Sequence, residues 1–227
     1  LLERVAEVVN KRVPVLAGVS DTGTKRVAKN ILKAKESGAD AVVSLPPFFY
    51  LLNQKAILDF YTAVAEESPL PVIIYHNPTM TKIKIEFDTI SQLSMHPNIV
   101  GIKDSSCDYN LFQQLLQLRT NKFSVFQGDE RKLKEALLAG ADGLVTGVGN
   151  VAIKIFVELY RSAKGNKVKE VEELQNKVNK LLEFCKDSWI QAIKYGLKLQ
   201  GICEEYTCSP FCPIDEETRR SVEMILK

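Results

Sequence analysis

Lys103 ends the apolar run Ile99-Val100-Gly101-Ile102 and is followed at once by Asp104, Ser105 and Ser106. Tyr75 ends a second such run, in "PVIIYHNP" from residue 71. A lysine amine attacks ketones when apolar surroundings favour its neutral form, and a phenol can move protons. Held side by side, the two are the parts needed for carbinolamine and Schiff-base chemistry. The plainer reading of the same residues is a lysine paired with Asp104 or Glu130 and a tyrosine in the core. Which applies depends on where the two runs lie.

Both runs belong to a series. Short apolar segments rich in β-branched residues start near positions 13, 41, 71, 99, 123 and 143, and amphipathic patterns such as "TKRVAKNILKAKESGAD", "NQKAILDFYTAVAEES" and "RKLKEALLAGAD" lie between them. Strands apolar on both faces and separated by helices are the mark of a parallel α/β sheet. The five steps from 13 to 143 average roughly 26 residues, a short and regular βα period. Two of the helices end in Gly-Ala-Asp, at 38–40 and 140–142, where glycine suits a helix C-terminus and the recurrence points to a repeated unit.

All six segments end in polar or reactive residues, including Ser20 and Asp21, Tyr75 to Asn77, Lys103 to Ser106 and Gly128 to Arg131. A ring of such ends is expected at the C-terminal face of a (β/α)8 TIM barrel, whereas an open sheet concentrates function at one switch point. Side chains alternate along a strand, so Lys103, Gly101 and Ile99 are expected inside with Tyr75 and Ile73, and His76 on the opposite face. Leu1 opens a helical pattern without Met or cap, and six strands do not close the barrel. The expected architecture is therefore a barrel whose first two strands are absent from this sequence, spanning 1–165, with a C-terminal helical extension over 166–227.

"YHNP", "GIKDSS", "QGDE", "LLAGADGLVTGVGNV" and "PVLAGV" together resemble the pyruvate-dependent class I aldolases that include dihydrodipicolinate synthase and N-acetylneuraminate lyase. The resemblance runs from residue 1 to 227. It implies that Lys103 forms an imine with pyruvate and that Tyr75 is its proton-moving partner. Gly128 and Val145 are implied as pyruvate-side contacts. Ser105, Glu130 and Gly147 are candidate contacts to the rest of the substrate, with Glu130 equally readable as a surface carboxylate. The family's Gly-Thr-Thr-Gly-Glu loop, which holds the pyruvate carboxylate, falls before Leu1.

Two departures bear on the substrate. The family's second tyrosine falls on Phe49 of "PPFFY", and the synthase arginine that grips the carboxylate of aspartate semialdehyde falls on Met80 of "NPTMT". A buried anion needs a paired cation. These changes favour an aldolase that reversibly cleaves a 2-keto-3-deoxy sugar acid to pyruvate and a neutral aldehyde. Dihydrodipicolinate synthase, N-acetylneuraminate lyase and a non-catalytic keto-acid-binding barrel remain alternatives. The resemblance also implies a homotetramer of tight dimers, with Phe48 to Leu52 near the tight contact, and no external cofactor.

Composition limits the rest. Thirty basic against twenty-eight acidic residues give a charge of +2, which does not make a nucleic-acid or membrane surface. No apolar run nears the ~20 residues of a membrane helix and no signal peptide is seen, so the chain reads as cytoplasmic. Five cysteines at 107, 185, 203, 208 and 212 read as reduced thiols, and Cys203, Cys208 and Cys212 lack zinc-site spacing. With only His76 and His96, no metal is expected. "GVSDTGTK" at 18–25 approximates a phosphate-binding loop, but its lysine is one position late and no Ser or Thr follows; a strand-to-helix turn fits better.

Overall fold

The computed structural model describes residues 1–183 and 188–226. Cys185 and the end of the helical pattern at 168–187 lie outside the described residues. The chain divides into two compact units, residues 1–129 with 139–143, and residues 130–138 with 144–227. The boundary expected at 165/166 falls inside the second of these.

In the first unit the elements run α1 (Leu2–Val9), β1 (Leu16–Gly18), α2 (Thr24–Glu36), β2 (Ala41–Ser44), α3 (Gln54–Glu67), β3 (Val72–His76), α4 (Pro78–Thr81), α5 (Phe87–Leu93), β4 (Ile99–Asp104), α6 (Tyr109–Leu116) and β5 (Ser124–Gln127). β6 (Gly143–Leu144) follows at the unit's last residue. The sheet order is β1-β2-β3-β4-β5-β6, and each pair from β1 to β5 is parallel. All six expected strands are present in an α/β fold. The turn between Gly18 and Thr24 joins β1 to α2, as expected for "GVSDTGTK".

The core forms because the helices offer apolar stripes to strands that are apolar on both faces. α2 buries Val27, Ile31 and Ala34, and α3 buries Ile57, Phe60, Tyr61, Val64 and Ala65. Tyr61 is fully buried, but its hydroxyl donates to the Ser44 carbonyl at 2.9 Å, so no polar group is stranded at the end of β2. Burial pushes its phenol well above the ordinary value. Asn53 caps α3 by accepting from Ala56 N, and Asp108 caps α6 by accepting from Leu111 N. Such a cap contributes about 1 kcal/mol.

The repeated Gly-Ala-Asp step does the same work twice. Gly38 and Gly140 take φ of 88° and 102°, the left-handed turn that ends a helix at little steric cost. Each aspartate then clamps the neighbouring strand. Asp40 accepts from Val15 N at 2.7 Å while its own N–H donates to Val15 O. Asp142 accepts from Val125 N at 2.8 Å while its N–H donates to Val125 O, and it also takes a two-pronged contact from Arg119.

The second unit is helical. A 3-10 turn (Glu130–Lys132) leads into α7 (Leu133–Leu138), and α8 (Gly149–Lys164), α9 (Val168–Glu183), α10 (Trp189–Leu199) and α11 (Glu216–Leu226) follow β6. α8 packs on α7, α9 and α10, while α11 packs on α10. α9, α10 and α11 lie within the expected extension at 166–227, and α11 is anchored by Val222 and by Tyr195, whose hydroxyl donates to Glu223 at 2.6 Å. Cys203, Cys208 and Cys212 carry free thiols. No helix among the described residues is long and apolar enough to cross a membrane.

Candidate active site

β3 and β4 align the two residues of interest. Their register pairs Ile73 with Gly101, Tyr75 with Lys103 and His76 with Asp104, after an irregularity near Val72. β4 also pairs with β5, and Gly101 is needed there: a Cβ would stand 2.6 Å from the Ser124 carbonyl oxygen. Lys103 and Tyr75 therefore end adjacent strands on one face. The ammonium nitrogen of Lys103 lies 4.1 Å from the centroid of the Tyr75 ring.

Both side chains are partly buried. Burial pushes the Tyr75 phenol up, but hydrogen bonding from Asn77, the charge and hydrogen bonding of Lys103 and hydrogen bonding from Ser105 together hold it below its ordinary value. The Asn77 amide donates to the phenol oxygen at 3.1 Å. Its orientation is fixed from the other end, because Asn77 is the N-cap of α4 and its Oδ1 accepts from Met80 N.

The alternate residues turn to the opposite face. His76 and Asp104 are 0% and 1% exposed, and His76 Nδ1 lies 2.8 Å from Asp104 Oδ1. His76 Nε2 accepts from Ile85 N, so Nδ1 carries the proton and donates to the carboxylate. The second carboxylate oxygen accepts from Ser106 Oγ at 2.9 Å. Asp104 is thus engaged away from Lys103, which removes one half of the plainer reading of that lysine.

Ser105 and Gly128 pack beside the lysine. Ser105 N donates to the His76 carbonyl at 2.8 Å, and Gly128 N donates to the Asp104 carbonyl at 2.7 Å. A Cβ on Gly128 would collide with Ser105 Oγ and reach within 3.0 Å of Lys103 Cε. Glycine here keeps open the space around the lysine arm. Met80 and Phe49, the two departures, are 74% and 84% exposed. Phe49 takes φ 97°, in the left-handed region, and its ring meets that of Tyr50 edge-on at 5.0 Å.

The remaining candidates lie in the second unit. Glu130 Oε1 accepts from Thr146 Oγ1 at 2.9 Å and from Gly147 N at 3.0 Å, which ties the turn at Glu130 to the segment after β6. Gly147 faces Trp189, where a Cβ would come within 2.9 Å of the indole. Val145 is 42% exposed. Three residues here were not picked out by spacing. Asn77 shares its alternation with Tyr75 and could have been found that way, whereas Thr146 and Trp189 carry no such signal.

Comparisons with known proteins identify the family. The chain matches the Dihydrodipicolinate synthetase family over residues 1–227. It is 30% identical over 229 residues to the 4-hydroxy-tetrahydrodipicolinate synthase of Neisseria meningitidis, covering 100% of this chain and 78% of that protein. It is 31% identical to the enzyme of the same name from Macrococcus caseolyticus, covering 98% of this chain and 76% of that one. The solved dihydrodipicolinate synthase of Bacteroides thetaiotaomicron superposes with a TM-score of 0.91 at 31% identity, over 99% of this chain and 78% of that structure. The chain belongs to the Dihydrodipicolinate synthetase family and is an enzyme of the pyruvate-dependent class I aldolase kind.

Proposed function

We propose that Lys103 is the imine-forming nucleophile and Tyr75 its proton carrier in the condensation of pyruvate with aspartate semialdehyde. The observation that carries this reading is the pairing of the two residues across β3 and β4, with 4.1 Å from ammonium to ring. The names of the relatives support the synthase substrate, and they support it better than sugar-acid cleavage, which Met80 and Phe49 favoured in the sequence.

In the proposed reaction the neutral amine of Lys103 attacks C2 of pyruvate. Tyr75 relays a proton from the nitrogen to the C2 oxygen, giving the carbinolamine, and the phenol then protonates that hydroxyl, which leaves as water and leaves an iminium beside a phenolate. The iminium is an electron sink, so the Tyr75 phenolate takes a C3 proton, an enamine forms and the phenol is restored. C3 then attacks the aldehyde carbon, the aldehyde oxygen takes a proton from the phenol and the iminium re-forms; the amine of the semialdehyde adds at C2 and displaces the Lys103 amine, which releases the product and restores the lysine. Gly128 leaves room for the lysine arm, and Ser105 supports the phenol. Gly128 and Val145 are proposed as pyruvate-side contacts, and Glu130 and Gly147 as contacts to the rest of the substrate, with Glu130 acting mainly through Thr146 and Gly147.

We further propose that the six strands are part of a (β/α)8 barrel, which the parallel order and the TM-score of 0.91 support. A homotetramer of tight dimers is proposed with the run from Phe48 to Leu52 near the tight contact, since Phe49, Tyr50 and Leu51 are each more than three-quarters exposed. A second substrate reading, cleavage of a 2-keto-3-deoxy sugar acid, rests on Met80, an apolar residue without a charge to pair a second carboxylate. Steady-state rates with aspartate semialdehyde plus pyruvate, against 2-keto-3-deoxygluconate, N-acetylneuraminate and 4-hydroxy-2-oxoglutarate, decide between them. The highest kcat/KM with aspartate semialdehyde is expected; a higher value with a sugar acid overturns the synthase reading.

A further inference from the structure

We propose that Asn77 positions Tyr75 for proton transfer: its amide, aimed by its second role as the cap of α4, donates to the phenol oxygen and biases Tyr75 toward accepting a proton. This rests on the role given above to Tyr75.

The geometry supports it from both ends of one side chain. Asn77 Oδ1 accepts from Met80 N at 3.3 Å, as an N-cap residue does. That contact requires an acceptor, so the oxygen faces the helix and the NH2 faces Tyr75 Oη at 3.1 Å. The backbone is held as well: the Asn77 carbonyl accepts from Thr81 N and Thr81 Oγ1. A donor fixed in this way stabilises a phenolate more than a phenol, and it does not rely on water to do so.

Among the described residues, the charged group that acts on Tyr75 is Lys103. From β4 it faces Lys103, while His76 and Asp104 engage each other on the far side of the two strands. β2, the other neighbouring strand, carries Ala41, Val42, Val43 and Ser44, without a titratable group. In the segment after α4, Lys82 donates to the Thr79 carbonyl and Lys84 pairs with Asp108. The phenol oxygen is thus served by Asn77, Lys103 and Ser105. Lys103 loses its positive charge when its nitrogen becomes part of the enamine. The Asn77 amide is neutral throughout, so its donation stays the same while the charge on the lysine nitrogen changes.

The test uses Asn77→Ser and Asn77→Asp. Both retain a side-chain acceptor for Met80 N and lose the amide donor, and the aspartate adds a negative charge beside the phenol. Tyr75 ionisation is read from ultraviolet tyrosinate absorbance, subtracting the same protein with Tyr75→Phe. Exchange of the pyruvate C3 hydrogens with deuterium, followed against pH, reads imine and enamine formation without any aldehyde. Tyr75 is expected to ionise at higher pH in Asn77→Ser and higher still in Asn77→Asp. The rising limb of exchange should move with it, and exchange at neutral pH should fall about three- to tenfold in Asn77→Ser. Identical Tyr75 titration in wild type and both variants overturns the proposal. Loss of cooperative folding in both variants also overturns it, because it assigns Asn77 to the cap alone. If wild type exchanges no deuterium, the imine chemistry fails, while the titration still decides the role of Asn77.

Discussion

Lys103 and Tyr75 are register partners across β3 and β4, and the lysine nitrogen stands 4.1 Å from the centre of the tyrosine ring. Strand pairing fixes the Cα atoms, and alternation sends both side chains to one face while His76 and Asp104 take the other. The two roles are thereby separated between faces of the same strands, with the reactive groups on one side and a buried hydrogen-bonded pair on the other.

Replacing Tyr75 with Phe keeps the ring and removes the hydroxyl. The proton step should slow by about 10²- to 10⁴-fold in kcat, with KM for pyruvate changed far less. The pH dependence follows from the lowered phenol. As an acceptor Tyr75 must be ionised, so pyruvate exchange rises with pH through a value below the ordinary phenol range. As a donor it must be protonated, so condensation falls through that value. Both limbs should vanish in Tyr75→Phe, as measured by pH profiles of the residual rate.

Gly128→Ala should impair the lysine without touching it. The added methyl must displace Ser105 Oγ and crowd Lys103 Cε. Overpacking of this kind costs about 1–3 kcal/mol. Slower imine formation with pyruvate in stopped-flow, together with a lower unfolding temperature in calorimetry, is the expected result.

Asp104→Ala should be a stability variant. It leaves His76 Nδ1 without an acceptor in a fully buried place and frees Ser106 Oγ. A loss of about 3 kcal/mol in urea unfolding is expected. Asp104→Asn retains an acceptor oxygen and should recover part of it.

The strand clamps give a paired prediction. Asp40→Ala and Asp142→Ala each strip a buried backbone N–H of its acceptor, at Val15 just before β1 and at Val125 in β5, for about 1–3 kcal/mol. Asp142→Ala should cost more, since it also frees Arg119. Equal losses in chemical denaturation would assign the Arg119 contact no weight.

Much of this was legible in the sequence where periodicity and parity carry information. The six strands, the βα order and the shared face of Tyr75 and Lys103 follow from apolar runs and a two-residue alternation. What did not follow depended on contacts far apart in the chain. Glycine at a helix end accounted for Gly38 and Gly140, but not for the aspartates behind them, because their partners lie 25 and 17 residues away. Glu130 reads as a ligand carboxylate until Thr146 and Gly147 are seen donating to it. α4 and α5 were hidden in "NPTMTKIKIEFDTISQL", too short and too polar for a periodic signal. The left-handed backbone at Phe49 is opposite to what an aromatic residue implies.

The central claim is that Lys103 forms the imine. Incubating the protein with pyruvate and sodium borohydride reduces any imine to a stable secondary amine, which peptide mass analysis then locates. A pyruvate-derived adduct on the peptide containing Lys103, absent in Lys103→Ala, is predicted. An adduct on another lysine, or none while the enzyme turns over, would contradict the account.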